Sequence, residues 1–376
     1  ESHIIEVDPD TQSRKFKPNP YYFKVDSSGQ QLPYIDHHFE RFLNSDLQTL
    51  AILNGEVDYK AQGPSLPEYP TLKEGEAKGK YDVRLVPGSF GPTLSFNITH
   101  NNPKLRAIYA DLRFRQAISH AINRDEINEV MYFGLGKPSQ GLPAQLSFTT
   151  DADHNYMIEY DVDKANALLD EMGMKRGSDG MRTYPDGSAF TILWEYSTQM
   201  ALPEFVKLVS DYFKAVGLTV NVKELTSAAT RENAKAETSD INMEWDIPFE
   251  PTLVADINLY TPYYSEISPL FGVKWRQWSE TNGAEGEEPP AWAKRMYEIA
   301  KEWKTVVPGS DRYIELGKEL VKLNLENMTI IGTIGEVPKP MIVSKRLHNV
   351  IPEMNTAHFN FGYSYAYRGD QWFIKE

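Results

Sequence analysis

The 376-residue chain contains no cysteine. That excludes a disulfide framework, a thiolate metal site and a cysteine nucleophile. It also suits an oxidising compartment such as the periplasm. No run of 18 apolar residues occurs, so no helical segment spans a membrane. Positive charge is in short supply: 39 Lys and Arg against 53 Asp and Glu leave a net charge of -14. This argues against a nucleic-acid footprint or an anionic membrane surface as partner. No HExxH, Gly-x-Ser-x-Gly, P-loop or Gly-x-Gly-x-x-Gly pattern is present. His37 and His38 are adjacent, which in a strand turns the two rings to opposite sides. Asp151-Ala152-Asp153 begins like a calcium loop but lacks its glycine and closing glutamate. Glu56 and Asp58 have no companion group that would make them catalytic, and acidic pairs such as Glu287-Glu288 could serve glycoside hydrolysis only if folded opposite one another. A glycan hydrolase needs two carboxylates facing each other across a cleft, which no local spacing here supplies. The chain therefore reads as non-enzymatic, with no cofactor and no metal. No signal peptide is visible, although a mature chain would have lost one.

What the sequence does have is length, periodicity and aromatic residues. A chain of this size favours two domains over one. The clearest helical signal is Asp111 to Gly136. Phe114, Ala117, Ile118, Ala121 and Ile122 recur at steps of three and four and form one apolar stripe. Asp111 is placed to cap it, Asn123 to start a second helix, and Gly134 and Gly136 to stop that one. Arg113, Arg115, His120 and Arg124 fall among the apolar positions and read as structural groups.

Around this anchor the chain alternates. Ile35 to Leu43 predicts a strand, Asp46 a helix cap, and Val83 with Leu85 a further strand. Residues 66–80 are polar and read as loop with one helical turn. Leu94 and Phe96 alternate near a crossing between two domains at residues 90–100. Asp161 to Met172 is an amphipathic helix stopped by Gly173. Turn signals flank a short strand at Met181 to Tyr184. Phe190, Ile192 and Trp194, then a helix over Leu202 to Val216, then Leu218, Val220 and Val222 make a parallel βαβ unit. Ile241 to Trp245 is a strand, and a Pro-punctuated aromatic loop follows, continued by residues 275–283. Helices start at Pro289 or Pro290 and at Ser310. Met328 to Ile334 reads as an apolar strand ended by Val-Pro-Lys-Pro. The aromatic tail is expected to pack on the first domain.

There are 21 Tyr, 17 Phe and 7 Trp, and several lie in Pro- and Gly-rich stretches. Rigid aromatic faces in loops serve sugar or peptide recognition. Trp194, Trp245 and the loop after it are suitable walls for a cleft. Glu244, Asp246 and Glu250 are placed to hydrogen-bond a sugar or to meet a peptide amino terminus. Asn97 and Thr333 are further candidates. Ordinary core packing is the competing reading of both tryptophans.

The run Asp111-Leu112-Arg113-Phe114-Arg115-Gln116-Ala117, then Ala121-Ile122-Asn123-Arg124-Asp125 and Gly134, resembles the bacterial extracellular solute-binding proteins of family 5. Asn19-Pro20-Tyr21-Tyr22, Asn54-Gly55-Glu56-Val57-Asp58 and Leu94-Ser95-Phe96-Asn97 add to the likeness. The resemblance implies an α/β, periplasmic binding protein-like fold of type II, cluster C. It implies part of lobe I over residues 1–92, lobe II over 93–335 and a return to lobe I over 336–376. Members of the family are longer, so an N-terminal part would be missing or supplied by a separate chain. The implied function is that of the periplasmic receptor of an ABC importer. It would bind an oligosaccharide or oligopeptide in an interlobe cleft and deliver it to a membrane permease. The competing classes are a glycan-acting hydrolase and a structural fragment without a ligand of its own.

Overall fold

The computed structural model describes residues 1–6, 13–61, 63–88, 91–142, 146–244, 261–262, 271–351 and 369–375. The chain divides into two compact units, Glu1–Gly88 with Pro338–Glu376, and Ser89–Val337.

In the first unit a strand from the end of the chain completes a sheet begun near its start. Lys339–Ser344 lies between Tyr59–Lys60 and Tyr81–Val86, antiparallel to both. Alternation along the strands sends side chains to opposite faces. Tyr81, Val83 and Ile342 face one way and pack with Ile52 and Leu72. Those two come from the helices Ser45–Leu53 and Tyr69–Gly79. Met341, Val343 and Val86 share the other cluster with Leu347, Val350 and Trp372. Trp372 is thus part of a core whose other members lie far away in sequence. Nearby, buried Asp370 accepts from the Tyr22 hydroxyl at 2.6 Å and from Lys24 Nζ at 3.0 Å. A second antiparallel sheet joins His3–Ile5, Ser13–Pro18 and His38–Arg41.

Several expectations are corrected in this unit. The helix at 45–53 is capped by Asn44, whose side chain accepts from Leu47 N, and not by Asp46. Residues 66–80 hold a full helix. Its polar pattern arises because it buries only Leu72 and Gly79. A Ser65–Glu68 capping box and Pro70 in the first turn start it. The strand over 35–43 shrinks to His38–Arg41.

The second unit is built on the βαβ run. Ile192–Tyr196 pairs in parallel with Val220–Glu224, and Pro203–Ala215 crosses between them. The strand Ile241–Glu244 pairs antiparallel with Thr93–Phe96. It also lies beside 192–196, because Leu193 N donates to Asp240 Oδ2 at 2.7 Å. The anchor helices are Leu112–Ala121, with Asp111 accepting from Arg113 N, and Arg124–Tyr132, with Asn123 accepting from Glu126 N.

The arginines of the anchor are buried fasteners. Arg124 donates to the carbonyls of Ser119 (2.9 Å), Ile158 (3.0 Å) and Gly332 (3.0 Å), and to Ser119 Oγ (2.9 Å). Arg115 donates to the carbonyls of Asn327 (3.1 Å) and Tyr109. Arg113 is the outward one and pairs with Asp111.

Here too the sequence reading needs amending. Pro103–Ala110 is a helix not foreseen, opened by Asn102 and Pro103. Val273–Glu280 is helical where a loop was expected. The strand over 328–334 reduces to a bridge at Ile331 and the pair Ile334–Gly335. The short strand at 181–184 reduces to the bridges Arg176 to Arg182 and Thr183 to Ala189.

Candidate functional site

In open α/β sheets the carboxyl ends of parallel strands are where ligands are met. At the carboxyl end of 192–196 the second unit has a recess. It is bounded by Glu195, Tyr196, Ser197 and Met200, by Thr230, Arg231 and Ala234 of the helix Ser227–Lys235, and by Ser239, Ile241, Asn242 and Met243. Its interior space is about 30 Å³. That is room enough for a small polar group.

The strand pattern explains what lines it. Side chains alternate along 192–196, so Trp194 and Glu195 face opposite ways. Trp194 is fully buried, stacks on Phe213 of the 203–215 helix and donates from Nε1 to Met243 Sδ at 3.3 Å. Glu195 faces the 227–235 helix. Both of its oxygens are engaged, with Lys223 Nζ at 3.2 Å and Asn233 Nδ2 at 2.7 Å. Ser239 Oγ donates to Asn242 Oδ1 at 2.7 Å. The Tyr196 phenol is held above its usual pKa by burial first and then by the Glu224 charge. Arg231 differs from its neighbours: its Nε is buried and has no hydrogen-bond partner.

The six residues singled out from sequence fall into two groups. Trp245, Asp246 and Glu250 lie outside the described residues, immediately after the 241–244 strand. Trp194, Asn97 and Thr333 are interior. Asn97 Nδ2 donates to Ser239 O at 2.9 Å and its Oδ1 accepts from Thr99. Thr333 Oγ1 donates to Pro92 O at 2.7 Å. In this conformation these three hold the framework and present no open face. Glu244 keeps its place as the last residue of the strand.

Glu195, Ser197, Arg231 and Asn242 were not anticipated. Alternation opposite Trp194 signals Glu195, but nothing in the spacing marks Arg231, which sits in a polar helix. Among the described residues no group of three or more His, Asp or Glu is arranged to hold a metal ion.

Comparison with known proteins fixes the relationship. The family model "Bacterial extracellular solute-binding proteins, family 5 Middle" matches residues 4–263, more than half of the chain. The chain belongs to this family. Among individual proteins it is similar to the periplasmic alpha-galactoside-binding protein of Rhizobium meliloti. The identity is 25% over 368 residues, covering 91% of this chain and 50% of that protein. It is also similar to the oligopeptide-binding protein OppA of Lactococcus lactis, 25% identical over 56% of this chain and 35% of that one. The chain thus spans half or less of these curated relatives.

Among solved structures, an oligopeptide-binding protein OppA superposes with a TM-score of 0.69 at 28% identity. That match covers all of this chain and 62% of the other. The periplasmic binding protein MelB of Agrobacterium fabrum, solved with stachyose, gives a TM-score of 0.78 at 18% identity, covering all of this chain and 57% of the other. The fold is therefore that of the periplasmic binding proteins.

Proposed function

We propose that this chain is part of the solute receptor of an ABC importer, and that it binds an oligosaccharide or oligopeptide without chemical turnover. The observation that carries the reading is the family match over residues 4–263. In this reading the second unit is lobe II, and the first unit belongs to lobe I of a type II, cluster C fold. The solute is met at the carboxyl end of the 192–196 and 241–244 strands, with Trp245, Asp246 and Glu250 supplying the aromatic face and the carboxylates. Binding shifts an equilibrium between open and closed states, and the closed state is what a membrane permease recognises. The receptor works outside the cytoplasmic membrane, in the periplasm.

Two relatives support the choice of solutes by name. One is called an alpha-galactoside-binding protein and the other an oligopeptide-binding protein. The alpha-galactoside relative aligns with the larger part of this chain, which supports including galactosyl oligosaccharides among the solutes tested. The test is calorimetry and thermal shift on the complete receptor and on this chain alone, with raffinose, stachyose and peptides of three to five residues. A saturable signal with one class identifies the solute. Silence from the complete receptor across both classes overturns the reading.

A further inference from the structure

We propose that the sheet of His3–Ile5, Ser13–Pro18 and His38–Arg41, with the outer side of the Ser45–Leu53 helix, is an interaction surface. Its partner is further polypeptide of the complete receptor, beyond what this chain spans. No residue of the three strands is buried. Leu32 is the one buried residue among the described residues 1–6 and 13–50. A three-stranded sheet needs a packed apolar face to persist. This one carries apolar side chains on both faces and covers neither.

The register shows how they are arranged. Phe39 stands opposite Lys15 and Ile4 opposite Lys17, so these four share one face. Ile5, Phe16 and His38 form a row across the other face, with the Phe16 and His38 rings stacked at 5.2 Å. Ile5 is 56% exposed and Phe39 is 65% exposed. The helix that follows repeats the pattern. Ile52 packs inward with Leu72 and Tyr81. Leu50 is two residues away, hence on the opposite side of the helix axis. It is exposed, as is Leu47 one turn earlier. A helix that is apolar on both sides belongs in an interior. Phe42 and Leu43, which join the sheet to this helix, are exposed as well.

Contiguous apolar exposure marks a surface that something covers. Its shape selects the occupant. A second copy docking about a two-fold axis covers one self-complementary patch. Here both faces of a sheet and one side of a helix stand open, which suits a chain that wraps around them. The relatives possess such chain. The alpha-galactoside-binding relative aligns over 50% of its own length. The OppA and MelB structures match all of this chain with 62% and 57% of theirs. The inference rests on membership of the family and on these lengths, and not on the choice of solute.

The natural lack of cysteine makes single-cysteine labelling the experiment. Phe39→Cys and Leu47→Cys are made in this chain and in the complete receptor. Val307→Cys, at an exposed position of the second unit, is the control. Maleimide modification of each site is timed by peptide mass spectrometry. A covered site reacts through local opening, so the complete receptor should label about tenfold or more slowly at Phe39→Cys and Leu47→Cys. Val307→Cys should label equally in both. Hydrogen exchange of the unsubstituted proteins is the second readout, with residues 45–53 slowed to a similar extent in the complete receptor. Equal labelling at both test sites together with equal exchange over 45–53 overturns the proposal. Protection in this chain alone that grows with its concentration assigns the surface to a second copy and also overturns it. Protection in a complete receptor that binds no solute keeps the surface and rejects the receptor reading.

Discussion

At the scale of single residues, this protein places charged side chains in its interior and satisfies them with neutral oxygens. Burial pulls the pKa of Arg115 and Arg124 down from the usual arginine value. The carbonyls around them favour the charged form, and guanidinium stays protonated in proteins. Removing one such partner leaves several buried acceptors unpaired. Arg124→Met should therefore destabilise the chain by about 3 kcal/mol, read as a shift in the urea midpoint. A change below about 0.5 kcal/mol, the usual size for an inconsequential surface substitution, would contradict this account.

Two histidines, one buried and one half-buried, add a pH dependence. His120 and His154 both have pKa values lowered by burial. Between the unfolded value of about 6.5 and those lower folded values, the unfolded chain takes up protons that the folded chain refuses. Their effect on stability is nil well above pH 6.5. It becomes a loss as pH falls through that value and levels off below the folded pKa. Urea titrations at about pH 7.5 and 5.5 should show this fall, with a shallower slope in His120→Gln. An identical slope in the variant would assign the pH dependence to other groups.

At the scale of elements, caps and close approaches set the framework. Asp111→Ala removes both the cap of the 112–121 helix and the Arg113 ion pair, and should cost about 1 kcal/mol in thermal or urea unfolding. Gly332 passes against the backbone of residues 139–141. A Cβ there would stand 2.2 Å from Gln140 C and from Gly141 N. Gly332→Ala should cost about 2–3 kcal/mol, since backbone cannot step aside as a flexible side chain does. A fully native urea midpoint in that variant would show that the segment around Gly332 can shift.

The same elements show what could be read from sequence. The anchor helices, the βαβ run and the helices starting near 290 and 310 were legible, because each carries an apolar stripe or alternation bounded by caps and glycines. The 69–79 helix was hidden, because its stripe is two residues wide. The 339–344 strand was hidden behind Pro340, which reads as a breaker. Pro340 pairs with Leu85 in the ladder to 81–86 and lies outside the ladder to 59–60, which involves only Ile342 and Val343. At the candidate site, Trp194 stood out as an aromatic and proved to be core. Arg231 stood out in no pattern, because its helix is polar and buries only Ala234.

At the scale of the whole molecule, the two units differ in how they are assembled from the chain. The second is continuous, Ser89–Val337, whereas the first is interrupted by it. Residues 89–337 expressed alone should unfold cooperatively in urea. Residues 1–88 alone should not, because the middle strand of their sheet, Lys339–Ser344, would be missing. A cooperative transition in the 1–88 fragment would mean that its helices and outer strands suffice.

That interrupted sheet also sets an order of events during synthesis. Domains complete themselves as units while the chain emerges from the ribosome. Here the strands at 59–60 and 81–86 appear early, with an unfilled gap between them, and wait while the entire second unit is made. Their unpaired edges are templates for the wrong partner during that interval. The first unit is thus the half whose sheet stays incomplete longest, until residues 339–344 arrive.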